Sequence, residues 1–137
     1  LNGLVLPGHK VLDVGCGYGR FARTVSARGG FWWGVDFSPA MFERWRRHVR
    51  VGTFVCANAR ELGSVKHVAP FDLILCVGSN GSMGLDVDAF TNLYASLLRL
   101  PGQVVVVGAL STSVRSFFEQ KHIIRAERRG AECQEQT

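Results

Sequence analysis

Five short runs of apolar, mostly β-branched residues recur along the chain, near residues 10–16 (KVLDVGC), 31–37 (FWWGVDF), 53–57 (TFVCA), 71–77 (FDLILCV) and 103–109 (QVVVVGA). They are continuous rather than alternating, as strands covered on both faces must be. The segments between them follow a helical period. Residues Arg20 to Arg28, Phe42 to Val49 and Val87 to Leu98 place apolar side chains three and four apart, most clearly through Phe90, Leu93, Tyr94 and Leu97. Ser38-Pro39 supplies an N-cap and a first-turn proline for the second helix, and Pro101-Gly102 is expected to stop the third. A short helix from Ala59 to Val65 is expected before Pro70. Strands alternating with helices predict βαβ units and a three-layer, doubly wound α/β fold on a mostly parallel sheet.

At 137 residues the chain is read as one domain, 1–137. Apolar content of 47% and charge of 20% are those of an ordinary globular protein. No run is long enough to span a bilayer and no secretory leader is visible, so a cytoplasmic protein without membrane contact is expected. Cys16, Cys56, Cys76 and Cys133 show no metal-ligand spacing; they are read as reduced thiols, and no metal site is expected. The net charge of +5 is unevenly placed, with Arg44, Arg46, Arg47, His48 and Arg50 in one cluster and Arg125, Arg128 and Arg129 in another. A solvated helix face and a basic tail account for these; an anionic partner such as nucleic acid is the alternative reading.

The chemistry concentrates at Asp13-Val-Gly-Cys-Gly-Tyr-Gly19, at the corner between the first strand and the first helix. A helix starting there aims unpaired N–H groups and the positive end of its dipole into the crevice beyond the strand ends. Gly15, Gly17 and Gly19 leave room for a ligand to approach the backbone. A dinucleotide fingerprint needs a small residue five positions after Gly15, where Arg20 stands, and a phosphate loop needs a GKS/T that is missing. A leading carboxylate repels phosphate and suits a cation.

On these residues the chain resembles the class I S-adenosylmethionine-dependent methyltransferases, whose first motif is acid-x-Gly-x-Gly-x-Gly, matched by Asp13, Gly15, Gly17 and Gly19. The resemblance implies a strand order of 3-2-1-4-5, S-adenosyl-L-methionine as cofactor, and methyl transfer to an acceptor expected to be a small molecule. It implies that Asp36 accepts from the ribose hydroxyls, that Phe37 packs against adenine, and that Asn58 and the amide of Ala59 meet the adenine edge. Val77, Gly78 and Ser79 would reach the crevice from the fourth strand. Cys16, Cys56 and Cys76 are read mainly as packing thiols; Cys16, inside the glycine loop, is also counted with the cofactor-binding positions and is the one placed to be sensitive to alkylation. No catalytic base stands out; Ser79, Asn80 and His122 are the candidates. A nucleic-acid methyltransferase and a non-catalytic binding module or fragment are the competing readings.

The ends depart from the family. Only nine residues precede the first strand, and the 28 after Ala109 are expected to give one helix (Val114 to Gln120) and at most one strand (His122 to Glu127), leaving the closing hairpin incomplete. The fifth-strand edge would then be bare, so the tail or a second copy of the chain in a homodimer is expected to cover it.

Overall fold

The computed structural model describes residues 1, 3–79, 83–108, 112–118, 122–129 and 132–136. In chain order the elements are β1 (Lys10–Val14), α1 (Ala22–Ala27), β2 (Phe31–Asp36), α2 (Pro39–His48), β3 (Thr53–Cys56), β4 (Phe71–Val77), α3 (Val87–Tyr94), β5 (Leu98–Val107), β6 (Thr112–Phe118), β7 (His122–Arg129) and β8 (Glu132–Gln136). They form one sheet of order β3-β2-β1-β4-β5-β6-β7-β8. The first five strands run parallel, in the order 3-2-1-4-5 that the resemblance implies.

Alternate residues of the central strands supply two cores. Leu12, Val14, Ile74, Cys76, Val104 and Val106 meet Phe90, Tyr94 and Leu97 from the α3 side. Val11, Leu73, Leu75 and Val105 meet Ala22, Val25, Trp32 and Phe54, with Phe42 and Trp45 of α2 packed against them. Burying side chains of this size stabilises the fold by about 1.5–3 kcal/mol each, which explains why the strand sequences carry no polar alternation.

Local signals set the helix boundaries. The Ser38 hydroxyl accepts from the Met41 amide with Pro39 in the first turn, and Asp86 caps α3 by accepting from the Ala89 amide at 2.7 Å. Helix α3 ends sooner than the periodicity indicates: a 3₁₀ turn covers Ala95–Leu97 and the strand starts at Leu98, so Pro101-Gly102 lies inside β5. Pairing of Phe71 with Leu98, and of Leu73 with Gln103, leaves an irregularity in the ladder where the proline falls. The helix expected from Ala59 is only the 3₁₀ turn Leu62–Ser64.

The largest departure follows β5. Residues Thr112–Phe118, read above as a helix from Val114, form β6, paired antiparallel to β5 from Gly102↔Phe117 to Val107↔Thr112. The physical reason is the open edge itself: an unpaired row of β5 backbone groups rewards a nearby segment rich in Val, Thr and Phe more than a marginal seven-residue helix could. The expected tail cover of that edge is therefore present within the chain. The strand expected at His122 is β7, and β8 extends the antiparallel run, so three strands stand where at most one was expected.

Candidate functional site

The glycine corner is built from β1, β2 and the end of β4. Gly15, Gly17 and Gly19 all have positive φ (66°, 58° and 83°), a region that costs a side chain about 1 kcal/mol or more. Their surroundings differ. A β-carbon on Gly15 would lie 2.2 Å from the Ser79 hydroxyl oxygen, and one on Gly19 would lie 2.8 Å from the Trp45 ring. On Gly17 it would meet nothing within 4 Å. Thus only the middle glycine faces open space; the outer two are small so that the protein can close on itself.

The loop amides are largely spoken for, contrary to the expected helix-terminus cradle. Val35 O accepts from the Gly15 and Cys16 amides (2.8 and 3.1 Å), Cys16 O from the Gly19 amide, and Asp36 Oδ2 from the Gly17 amide at 2.9 Å. Helix α1 starts only at Ala22, beyond the loop, so its dipole is not what shapes the crevice. The loop is instead pinned to the end of β2 by hydrogen bonds.

Asp13 is 2% exposed and does not reach the crevice. Its Oδ2 accepts from the Trp32 indole N–H at 3.1 Å. Burial, eased in part by that hydrogen bond and by Arg20, and reinforced by the neighbouring Asp36, raises its pKa to about 7. Asp13 therefore acts on anything above the loop through its field, not by contact. Trp32 is the residue that makes this arrangement, and the sequence marks it only indirectly through Gly34: a β-carbon there would lie 2.1 Å from the indole. A glycine inside a strand signals such an approach.

Asp36, half-buried at the end of β2, accepts from the Gly17 amide with Oδ2 and from the Ser38 amide with Oδ1 at 3.0 Å. Each carboxylate oxygen retains a second acceptor site, so a rigid bidentate acceptor remains. Beside it Phe37 is 77% exposed. A cleft of about 300 Å³ is lined by Phe37, Asn58, Ala59, Arg60 and Met83, the size class of a small-molecule pocket. The Asn58 carbonyl oxygen accepts from the Arg60 amide at 2.9 Å, an Asx turn, and the Arg60 guanidinium donates to Met83 O across the cleft. Tyr94 of α3 donates its hydroxyl to Ala59 O and so fixes the cleft floor; burial raises its phenol pKa.

At the end of β4, Gly78 has φ 76° and donates to Val107 O at 2.6 Å, while Val77 O accepts from the Arg20 guanidinium at 3.1 Å. The Ser79 hydroxyl donates to Val14 O at 3.1 Å and lies 3.3 Å from Cys76 Sγ. It is turned inward and ties β4 to β1, which removes it from the candidate bases. Asn80 lies outside the described residues, as does the side chain of His122. Cys16 is 5% exposed and packs in the core on the α1–α2 side, in line with its packing role, and burial drives its pKa up, which argues against sensitivity to alkylation. Among the described residues no cluster of His, Cys, Asp or Glu could hold a metal ion.

A glycine corner after β1, an acid ending β2 and a cleft after β3 on a 3-2-1-4-5 sheet define a class of nucleoside-cofactor folds whose ligand lies across the carboxyl ends of the strands. The chain belongs to the family described as "Methyltransferase domain", which matches residues 11–101. No curated protein matches it. Among solved structures it is similar to a SAM-dependent methyltransferase from Geobacter sulfurreducens in complex with S-adenosyl-L-homocysteine (24% identity, TM-score 0.63, covering 74% of this chain and 42% of that one). It is also similar to the YcgJ protein from Bacillus subtilis (25%, 0.64, 78% and 47%). A third is the plantazolicin methyltransferase BpumL in complex with a desmethyl-plantazolicin analogue and SAH (19%, 0.62, 72% and 38%). The chain thus spans less than half the length of each of these proteins. Among the described residues no helix is long and apolar enough to cross a membrane.

Proposed function

We propose that residues 1–137 act as one unit that binds S-adenosyl-L-methionine across the ends of β1, β2 and β3 and donates its methyl group to an acceptor small enough to enter beside Gly78. One observation carries the reading: the Asp36 carboxylate, immobilised by two backbone amides, stands between the open Gly17 and the Phe37–Asn58–Ala59 cleft. A ribose between a flat base and a sulfur-bearing tail needs a fixed diol acceptor at that position. The cradle fits, because Gly17 leaves space where any side chain would intrude and the cleft has an exposed aromatic wall. The plantazolicin methyltransferase BpumL, solved with a desmethyl-plantazolicin analogue, supports a small acceptor.

When bound, the cofactor supplies an electrophilic methyl group on a sulfonium. The protein's share is alignment and exclusion of water, for which good positioning is worth roughly 7–11 kcal/mol, so the lack of an assigned base is compatible with transfer. Asp36 and the cleft orient the nucleoside, the Gly17 backbone receives the chain that leads to sulfur, and Asp13 below the loop, in its ionised form, supplies a field that favours positive charge above it.

Calorimetry with S-adenosylmethionine and S-adenosylhomocysteine tests the reading. Binding in the micromolar range, lost by at least tenfold in Asp36→Ala, is the expected result. NAD binding more tightly than either ligand, or Asp36→Ala binding like the parent, would refute it. Binding without methyl transfer to any small acceptor would assign the chain to the non-catalytic reading.

A further inference from the structure

Between residues 20 and 50 the chain holds seven arginines, no lysine, and only Asp36 and Glu43 as acids. The fold gathers these onto one side, because α1 and α2 pack against the same face of the sheet. Arg20, Arg23, Arg44, Arg46, Arg47 and Arg50 are all exposed there. On the opposite face α3 carries Asp86 at its cap and Asp88 in its first turn and no cation. Arg60 and Lys66 are exposed on the segment whose Ala59, Val65 and Val68 pack against that opposite core, so what sets the α1–α2 side apart is its density of arginines.

Local roles explain part of this. Arg46 and Arg47 pair with Glu43 and lie in the last turn of α2, where cations complement the helix dipole. That account does not cover the rest. Arg44, one turn earlier, lies over the Tyr18 ring at 4.2 Å, bringing an aromatic residue of the glycine loop into the basic face. Arg23 reaches from α1 to His48 O, and Arg20 crosses to Val77 O at the crevice. Arg50 occupies φ 54°, where glycine or asparagine is cheaper. The row therefore runs from the crevice mouth down both helices.

We propose that this α1–α2 face binds the phosphate backbone of single-stranded nucleic acid. Two features select this partner over an acidic protein or an anionic membrane. The cations of this face are arginines, whose planar forked donors match phosphate oxygens as they match carboxylates, so the choice between these partners falls to the second feature. The large exposed apolar side chains among the described residues, Leu6, Phe31, Phe37 and Leu100, all lie outside α1 and α2. The surfaces of the two helices thus lack the apolar anchors that protein hot spots and membrane-inserting helices use, Phe31 beside Ser26 at the end of α1 being the nearest exposed aromatic. The Tyr18–Arg44 pair places an aromatic ring beside the cations, on a loop where a base could stack. Surface pairs such as those of Glu43 are worth about 0–1 kcal/mol, so Arg46 and Arg47 exchange them for phosphate at little cost.

Fluorescence anisotropy with a mixed-sequence 20-nucleotide RNA tests this on the full chain. With about four phosphates neutralised, the slope of log affinity against log salt is expected at about −3, a loss of roughly 60-fold between 50 and 200 mM salt. Arg44→Gln with Arg46→Gln should reduce the slope by about 1.4 while leaving the circular dichroism spectrum intact. Glu43→Gln, which frees two guanidiniums, should tighten binding severalfold, a gain that damage to the fold cannot mimic. No binding at 50 mM salt, a slope shallower than −1, or no change in the arginine variant would overturn the proposal. So would polyglutamate competing as well as RNA at equal charge, or phosphatidylserine vesicles capturing the chain while RNA does not. None of these outcomes bears on adenosyl-ligand affinity, so the two readings fail separately.

Discussion

Replacing Asp13 by asparagine should flatten the dependence of folding stability on pH. In the folded chain the carboxyl has its pKa raised from 3.8 to about 7, chiefly by burial beneath the glycine loop. A carboxyl with a raised folded pKa favours folding fully only below its unfolded value, and that contribution is lost as pH rises through the folded value. The window is therefore pH 4 to 7, with a plateau above. Each unit of difference is about 1.4 kcal/mol, so ionising Asp13 in place costs on the order of 4 kcal/mol in total, more than half of it between pH 5 and pH 8. Asparagine keeps an acceptor for the Trp32 indole but has no proton to lose, so the variant escapes the cost. Urea unfolding of both proteins at pH 5, 6, 7 and 8 gives the difference curve, in which the histidines cancel because both proteins share them. The variant should gain on the parent by about 2–3 kcal/mol across that range. Parallel curves would refute the assignment of a strained charge under the loop.

The outer and middle glycines should part company. Gly15→Ala drives a methyl into Ser79 at positive φ and should destabilise the fold by about 1–3 kcal/mol in thermal unfolding, whereas Gly17→Ala should cost about 1 kcal/mol and chiefly weaken adenosyl-ligand binding in calorimetry. Tyr94→Phe removes the donor that holds Ala59 O and should cost about 1–2 kcal/mol of stability together with a several-fold loss of adenosine affinity. Of Cys16, Cys56 and Cys76, iodoacetamide should label the exposed Cys56 first, as mass spectrometry of peptides would show; burial holds Cys76 up at about 11 and Cys16 higher still.

The parallel half of the sheet was legible because its strands and crossovers obey two distinct hydrophobic periods, and Ser38-Pro39 marks its helix start with a capping residue and a first-turn proline. The site was legible where backbone need leaves a residue signature: positive φ at Gly15, Gly17 and Gly19, and a terminal acid at Asp36. It was illegible where one residue's meaning depends on a distant partner. That Asp13 faces Trp32 instead of a ligand and that Ser79 closes on Gly15 are contacts between segments with no common local pattern.

The sequence by itself determined the order of the five parallel strands' elements, the glycine bend and the acid that ends β2, because these rest on propensity, periodicity and φ/ψ sterics within a few residues. Tertiary structure alone decided that Thr112–Phe118 is a strand, since its preferred state depends on a β5 edge in need of hydrogen-bond partners. It also decided the charge state of Asp13 and the gathering of six arginines on one face. Burial and the summed field of separated residues are properties of the packed chain, and no local window of sequence contains them.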